Sequence, residues 1–345
     1  MGPRKSQIGK MALRSLVACT LLSTCISVAG TTKSDSISAE LHRFLHADSS
    51  KSCGILFGRL DGIDSAPQVW TAGAIDKESD LRLGCPTAKP LLAYLTLKEG
   101  IVLDVTIDHW FPEGNGFTNS HAITIRNLLS NMSGIRDYVP LVPMDPDSAI
   151  TPENSIDRAY RSHALLFAPG AGFEYSNTNF NMIGLILESR TGKTVSQLFQ
   201  ETFRSYAPSL RLDDGKGNYP VGYAKPWPYH WSSPGFAGAF IGSAADAMRV
   251  FYFVSSEAEF KKMTTWLTPS GSDPNSPSNN LIGLGIFGNR SFAGCEQVVV
   301  YEGNMGPCQM IIAKVLGSVF YIASAHVVAP ADLSNLFQRL IGMSL

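Results

Sequence analysis

The sequence has almost no net charge. Its Lys and Arg number 28 against 29 Asp and Glu, and charged residues make up only 17% of the chain. No long basic run interrupts the balance, which argues against a nucleic-acid partner. Long apolar runs are also missing. The apolar stretch at 16–28 is too short and too rich in Ser and Thr to span a bilayer. It follows Arg4, Lys5, Lys10 and Arg14 and ends in Ser27-Val28-Ala29, so residues 1–30 read as a secretory leader. With it removed, no membrane association is expected, and the mature chain is expected to be secreted or periplasmic. Cysteine is scarce, six in all. Cys19 and Cys25 lie in the leader, leaving Cys53, Cys85, Cys295 and Cys308. None shows metal-ligand spacing, and neither a metal nor a cofactor is expected. In an oxidising compartment two disulfides become possible. Cys295 and Cys308 flank a strand–turn–strand pattern and form one candidate pair. Cys53 and Cys85 form the other, or remain thiols. Asn131-Met-Ser and Asn289-Arg-Ser match the glycosylation sequon, relevant only in a eukaryotic secretory pathway.

Several reaction signatures are absent as well. There is no G-x-S-x-G elbow, no H-E-x-x-H and no phosphate-binding P-loop. The spacing Gly283-x-Gly285-x-x-Gly288 matches a dinucleotide fingerprint by letter, without the strand-to-helix context that gives it meaning.

What is present is a clear order of elements. Residues 38–46 read as a short helix, and 53–60 and 69–72 as strands. A largely buried helix follows around 91–97, ending at Gly100. Helices are expected at 122–129, 156–166, 180–187 and 244–254. Four strand-like runs come late, at 281–288, 297–301, 310–316 and 319–326, followed by a closing helix at 332–340 and preceded by a polar loop at 269–280. Strands at both ends with helices between imply an α+β fold, a mostly antiparallel sheet with an inserted helical region. One domain, 31–345, is expected, with 31–105 and 250–345 forming the sheet part and 106–249 the mainly helical part.

The richest stretch is 169–194, PGAGFEYSNTNFNMIGLILESRTGKT. A Pro-Gly turn presents Tyr175 and Asn177 just before a helix, with Asn177 or Thr178 as its expected cap and Gly192 at its end. Together with LKEGIVLDVTIDHWFPE (97–113), TIRNLLSNMSGIRDY (124–138) and GFAGAFIGSAADAMRVF (235–251), it resembles the serine β-lactamase-related family, which includes class C β-lactamases, D,D-peptidases and esterases. The resemblance covers most of the mature chain. It implies a sheet flanked by helices, with the site at the edge of the helical region.

The family's chemistry rests on three elements: S-x-x-K opening a buried helix, Y-x-N, and a strand motif of His or Lys, any residue, then Gly. The logic is acyl transfer, in which a hydroxyl attacks a carbonyl while a nearby base takes its proton. Tyr175-Ser-Asn177 matches the second element, and Lys89 the lysine of the first. The serine is not matched. Pro86 stands three residues before Lys89, and Thr87 faces away from it. Cys85, four residues before Lys89, lies about 40° from it on an ideal helix. It is the nearby nucleophile, unless Pro90 delays the regular helix or Cys85 is bonded to Cys53, the favoured reading in a secreted protein. In the third element Glu302 is expected at the cation's place, with Gly303 and Asn304 after it. A carboxylate there would repel an anionic substrate.

The catalytic candidates are therefore Lys89, Tyr175 and Cys85. Asn177, Glu302, Asn304 and Trp231 are expected to bind substrate, the last as one wall of an aromatic segment with Trp227 and His230. The expected function is acyl transfer on an ester or amide without the usual serine. Two alternatives stand beside it: an inactive relative that uses its cleft for binding, and a Lys/Tyr acid–base enzyme acting on a small biosynthetic intermediate. Ordinary β-lactamase activity is not expected. The partner is a small-molecule or peptide substrate, and the chain is expected to be a monomer.

Overall fold

The computed structural model describes residues 32–46, 54–82, 85–217, 229–267, 280–305, 308–325 and 330–345. In chain order its elements are α1 (Lys33–His46), β1 (Gly54–Leu60), β2 (Gln68–Gly73), β3 (Asp80–Arg82), α2 (Cys85–Lys98), α3 (Ile125–Leu129), α4 (Pro152–Ile156), α5 (Asn177–Thr191), α6 (Val195–Phe203), β4 (Arg211–Leu212), β5 (Phe240–Ser243), α7 (Ala244–Val254), α8 (Ala258–Met263), β6 (Asn280–Ile282), β7 (Phe287–Phe292), β8 (Cys295–Met305), β9 (Cys308–Val315), β10 (Ser318–Ser324) and α9 (Pro330–Ser344).

The main sheet is antiparallel in the order β2-β1-β10-β9-β8-β7-β6. Side chains alternate across it, so each face collects its own core. On one face Leu56, Val299, Tyr301, Ile312 and Tyr321 pack with α2 and α7 and the helices beyond them. On the other, Phe57, Val300, Ile311 and Phe320 pack with Ile37 and Leu41 of α1 and with Leu336, Phe337 and Leu340 of α9. The result is the expected α+β arrangement. A smaller sheet, β3-β5-β4, is an addition that the sequence pattern does not announce.

Several expected boundaries move for identifiable reasons. The run at 281–288 is not one strand: Gly285 takes φ +64 and the chain turns between β6 and β7. The letter match to a dinucleotide fingerprint therefore lies between two paired strands. The helix expected at 156–166 begins earlier, because Pro152 suits a first turn and Thr151 caps it by accepting from Asn154 N at 3.2 Å. It then loosens into a π-helical turn, Asp157–Arg161. A division at 249/250 would fall inside α7, which packs on β1 and β10 and so belongs with the sheet.

The strand register also corrects one disulfide expectation. Met305 opposes Cys308 at the hairpin end of β8 and β9, whereas Cys295 opposes Phe292 at the far end of β8. About ten residues of extended chain separate the two ends, roughly 33 Å, far beyond the reach of a disulfide. The polar loop expected at 269–280 lies, but for Asn280, outside the described residues. Among the described residues no helix is long and apolar enough to cross a membrane.

Candidate active site

Helix α2 runs from Cys85 to Lys98 with Pro90 inside it. Pro86 sits in the first turn, where a missing N–H costs nothing. Pro90 would have donated to the Pro86 carbonyl, so it removes one bond close to the helix end, and the helix continues. The expectation that Pro90 delays the helix is thus corrected. The backbone places Cys85 one turn before Lys89. The side chains of Cys85 and Pro86, and all of Cys53, lie outside the described residues, and with them the Cys53–Cys85 pairing.

Lys89 is fully buried. Its Nζ donates to Asn177 Oδ1 at 2.9 Å and to the Ala237 carbonyl at 2.8 Å. The same nitrogen lies 5.0 Å from the Tyr175 ring centroid and 5.3 Å from that of Phe180. A lysine taken out of water needs such partners, and two aromatic faces add attraction for its charge. The structure thus brings together Lys89, Tyr175 and Asn177 from two segments far apart in sequence.

Tyr175 and Asn177 are held by the loop before Tyr138. Gly170 N donates to Met132 O at 2.8 Å and Glu174 N to Asn131 O at 3.0 Å. Ser176 Oγ and Thr178 Oγ1 both donate to Arg136 O, at 3.0 and 2.8 Å. Asn131 holds φ +57, uncommon for a residue with a side chain, and its Oδ1 accepts from Ser176 N at 3.1 Å and Asn179 Nδ2 at 3.2 Å. Being 2% exposed and engaged in this way, Asn131 cannot carry a glycan in the folded chain, which removes that sequon.

The cap of α5 differs from expectation. Ser176 is the N-cap residue but supplies no side-chain cap bond. Asp137 takes that role from outside the helix: its Oδ1 accepts from Asn177 N at 3.1 Å, and its Oδ2 from Asn177 Nδ2 at 3.1 Å. Burial pushes the Asp137 carboxyl above its ordinary range, while the Asn177 hydrogen bonds and the Lys89 charge pull it down.

The third motif also needs correction. Tyr301 belongs to the sheet face that carries α2, whereas Glu302 opposes Ile311, whose side chain joins the core under α1 and α9. Side-chain alternation therefore puts Tyr301 at the cation's place and makes Glu302 the variable residue before Gly303. The Tyr301 ring stacks on Phe287 at 5.3 Å, and Phe287 lies 6.5 Å from Tyr175 and 6.0 Å from Phe173. Glu302 reaches solvent, yet the protein around it displaces enough water to hold its carboxyl above the ordinary range. Asn304 pairs with Gln309 in β8, and its side chain lies outside the described residues.

Trp231 packs on Arg82. Its ring covers the Arg82 guanidinium at 3.9 Å, and Arg82 Nε donates to Asp213 Oδ2 at 2.7 Å in a buried ion pair. His230 Nδ1 lies 2.8 Å from Ser232 Oγ. Trp227 lies outside the described residues. Three participants escaped the sequence reading: Asp137, Tyr301 and the Ala237 carbonyl. The first was visible as the carboxylate in SGIRDY, and the second required only counting back two residues from Gly303.

The sequence profile of the Beta-lactamase family matches residues 89–313. The chain belongs to the Beta-lactamase family. A D-aminopeptidase of Brucella anthropi is 33% identical over 81 residues, 23% of this chain and 16% of that protein. One of Brucella ovis is 32% identical over 88 residues, 25% of this chain and 17% of that protein. The aligned stretch thus spans only a small part of these relatives. Among solved structures, a D-amino acid amidase from Ochrobactrum anthropi SV3 complexed with L-phenylalanine superposes with a TM-score of 0.76 at 16% identity, covering 91% of this chain and 98% of that one. A D-stereospecific amidohydrolase from Streptomyces sp. gives 0.68 at 22% identity, covering 83% and 93%. At these identities the likeness establishes the fold.

Proposed function

We propose that the protein is an acyl-transfer hydrolase of small amides or esters, with Cys85 in the place of the usual serine. The observation that carries this reading is the Lys89 amine, buried one helical turn from Cys85 and beside Tyr175. In the reaction the Cys85 thiol attacks the substrate carbonyl and its proton passes to the Lys89–Tyr175 pair. That proton then leaves with the amine or alcohol as the tetrahedral adduct collapses to a thioester. Water attacks the thioester, releasing the acid and returning the proton to sulfur. Asn177 and the Ala237 carbonyl hold the Lys89 amine in position. The relatives named D-aminopeptidase and D-amino acid amidase point to D-amino acid amides as the first substrates to try. The leader-like residues 1–30 support export of the chain from the cytoplasm.

The test is release of ammonia from D-phenylalanine amide and D-alanine amide. Turnover should vanish in Lys89→Ala, in Cys85→Ala and after iodoacetamide treatment. A disulfide between Cys53 and Cys85 found by peptide mapping would sink the thiol mechanism.

Pro86, which leaves no hydroxyl one turn before Lys89, supports a second reading: a member that binds in its cleft without turnover. It predicts that the same amides raise the melting temperature of a protein that never hydrolyses them.

A further inference from the structure

The Asn177 carboxamide has two orientations in its site, related by turning it over. Only one gives Lys89 an acceptor. In the structure Oδ1 faces Lys89 Nζ at 2.9 Å, while Nδ2 faces Asp137, at 3.3 Å from Oδ1 and 3.1 Å from Oδ2. Lys89 can only donate, and an ionised carboxylate can only accept. Between such neighbours the amide has one satisfied orientation. Ala237 O accepts a second hydrogen bond from Lys89 Nζ.

We propose that Asp137 is a positioning residue that sets the polarity of the Asn177 carboxamide and thereby keeps an acceptor on the Lys89 amine. This rests on the acyl-transfer reading for its kinetic consequence, not for its geometry. The hydrogen bonds of Asp137 run to Asn177 and to the Val139 backbone, so it acts on Lys89 through Asn177. Two carboxylate oxygens divide the work. Oδ1 caps α5 at Asn177 N, and Oδ2 takes the amide hydrogen. Lys89, across Asn177, is the charged side chain whose field reaches Asp137, and Val139 N adds a backbone bond. Protonating Asp137 gives it a donor that faces the Asn177 NH2, so the amide is driven to turn over. Its NH2 then meets the Lys89 ammonium, donor against donor. The polarity of the site is therefore set by whether Asp137 is ionised.

The decisive variant is Asp137→Asn. It keeps an oxygen to cap α5, so the fold survives, but its own NH2 opposes that of Asn177. Two measurements apply. The first is NMR of the Asn177 side-chain NH2, assigned by its loss in Asn177→Ala. In the wild type these resonances should shift with pH as Asp137 titrates; in Asp137→Asn they should be displaced at every pH and no longer follow that titration. The second is turnover of D-phenylalanine amide, with kcat in Asp137→Asn about a hundredfold lower and KM little changed, as expected for a misaligned group. Asp137→Glu should restore part of both. If the Asn177 resonances ignore pH and match in the two proteins, the inference is overturned whether or not the enzyme turns over. If they behave as stated but the wild type hydrolyses nothing, the acyl-transfer reading fails and the polarity switch stands.

Discussion

Gly285 lies directly against the backbone of Lys89. A Cβ at position 285 would stand 2.6 Å from the Lys89 carbonyl oxygen and 2.6 Å from Ala93 Cβ, and the residue holds φ +64. Its N–H also donates to Leu129 O at 2.7 Å. One glycine thus sets how closely the β6–β7 turn approaches α2. Gly285→Val should cost about 3 kcal/mol through backbone strain and collision. It should also displace Lys89, so turnover should fall further than stability alone explains. Urea denaturation together with kcat at a temperature well below melting checks both. A variant as stable and active as the wild type would show that α2 is not held by this contact.

Lys89→Met should abolish turnover, a loss of at least about a thousandfold. Its stability should change by no more than about 1 kcal/mol. Removing a buried ammonium relieves a desolvation cost that offsets the two hydrogen bonds lost at Asn177 and Ala237. A large drop in melting temperature would mean that Lys89 is mainly structural.

The buried pair of Arg82 and Asp213 sits just before α2, beneath Trp231. Removing one partner strands the other charge. Arg82→Met and Asp213→Leu should each cost about 3–5 kcal/mol, and the double variant should recover much of that. Thermal melts of the three proteins form the cycle. Additive losses would show that the two charges are not coupled.

Glu302 gives a pH prediction. Its carboxyl is held above the ordinary 4.5 by loss of hydration. A carboxyl raised in the folded state contributes stability below its unfolded value, and that contribution is lost as pH climbs through the folded value. Glu302→Gln lacks this loss. The urea midpoint of Glu302→Gln should therefore gain on the wild type as pH rises from 4 to 7. A gap that closes over the same range would reverse the sign and reject the assignment.

Local signals carried much of the fold. Phe180, Ile183 and Leu187 at helical spacing located α5, and Gly192 closes it at φ +68 as its position suggested. Lys89 stood out because a lone cation in an apolar helix must find a partner. The readings that failed did so for different reasons. The place of Tyr301 was legible from the motif's own spacing before Gly303, and the pairing with Ile312, against Ile311 for Glu302, fixes that Tyr301 faces α2. Asp137 acts at the start of a helix 40 residues on, through a contact made in space. Pro90 reads as a helix breaker, but here the neighbouring turn is already short of a donor at Pro86.

The β1–β10 pairing of the large sheet takes time to become possible. Ile55 to Leu60 find their partners in Val319 to Ser324, so β1 and β10 lie roughly 260 positions apart in the chain. At typical rates of translation, about 5–20 residues per second, β1 waits tens of seconds for its neighbour to be made. Until then the apolar residues of β1, Ile55, Leu56 and Phe57, have an open edge with no strand to fill it. Until residues 319–324 are made, the nascent chain therefore carries that apolar edge without the strand that covers it in the folded sheet.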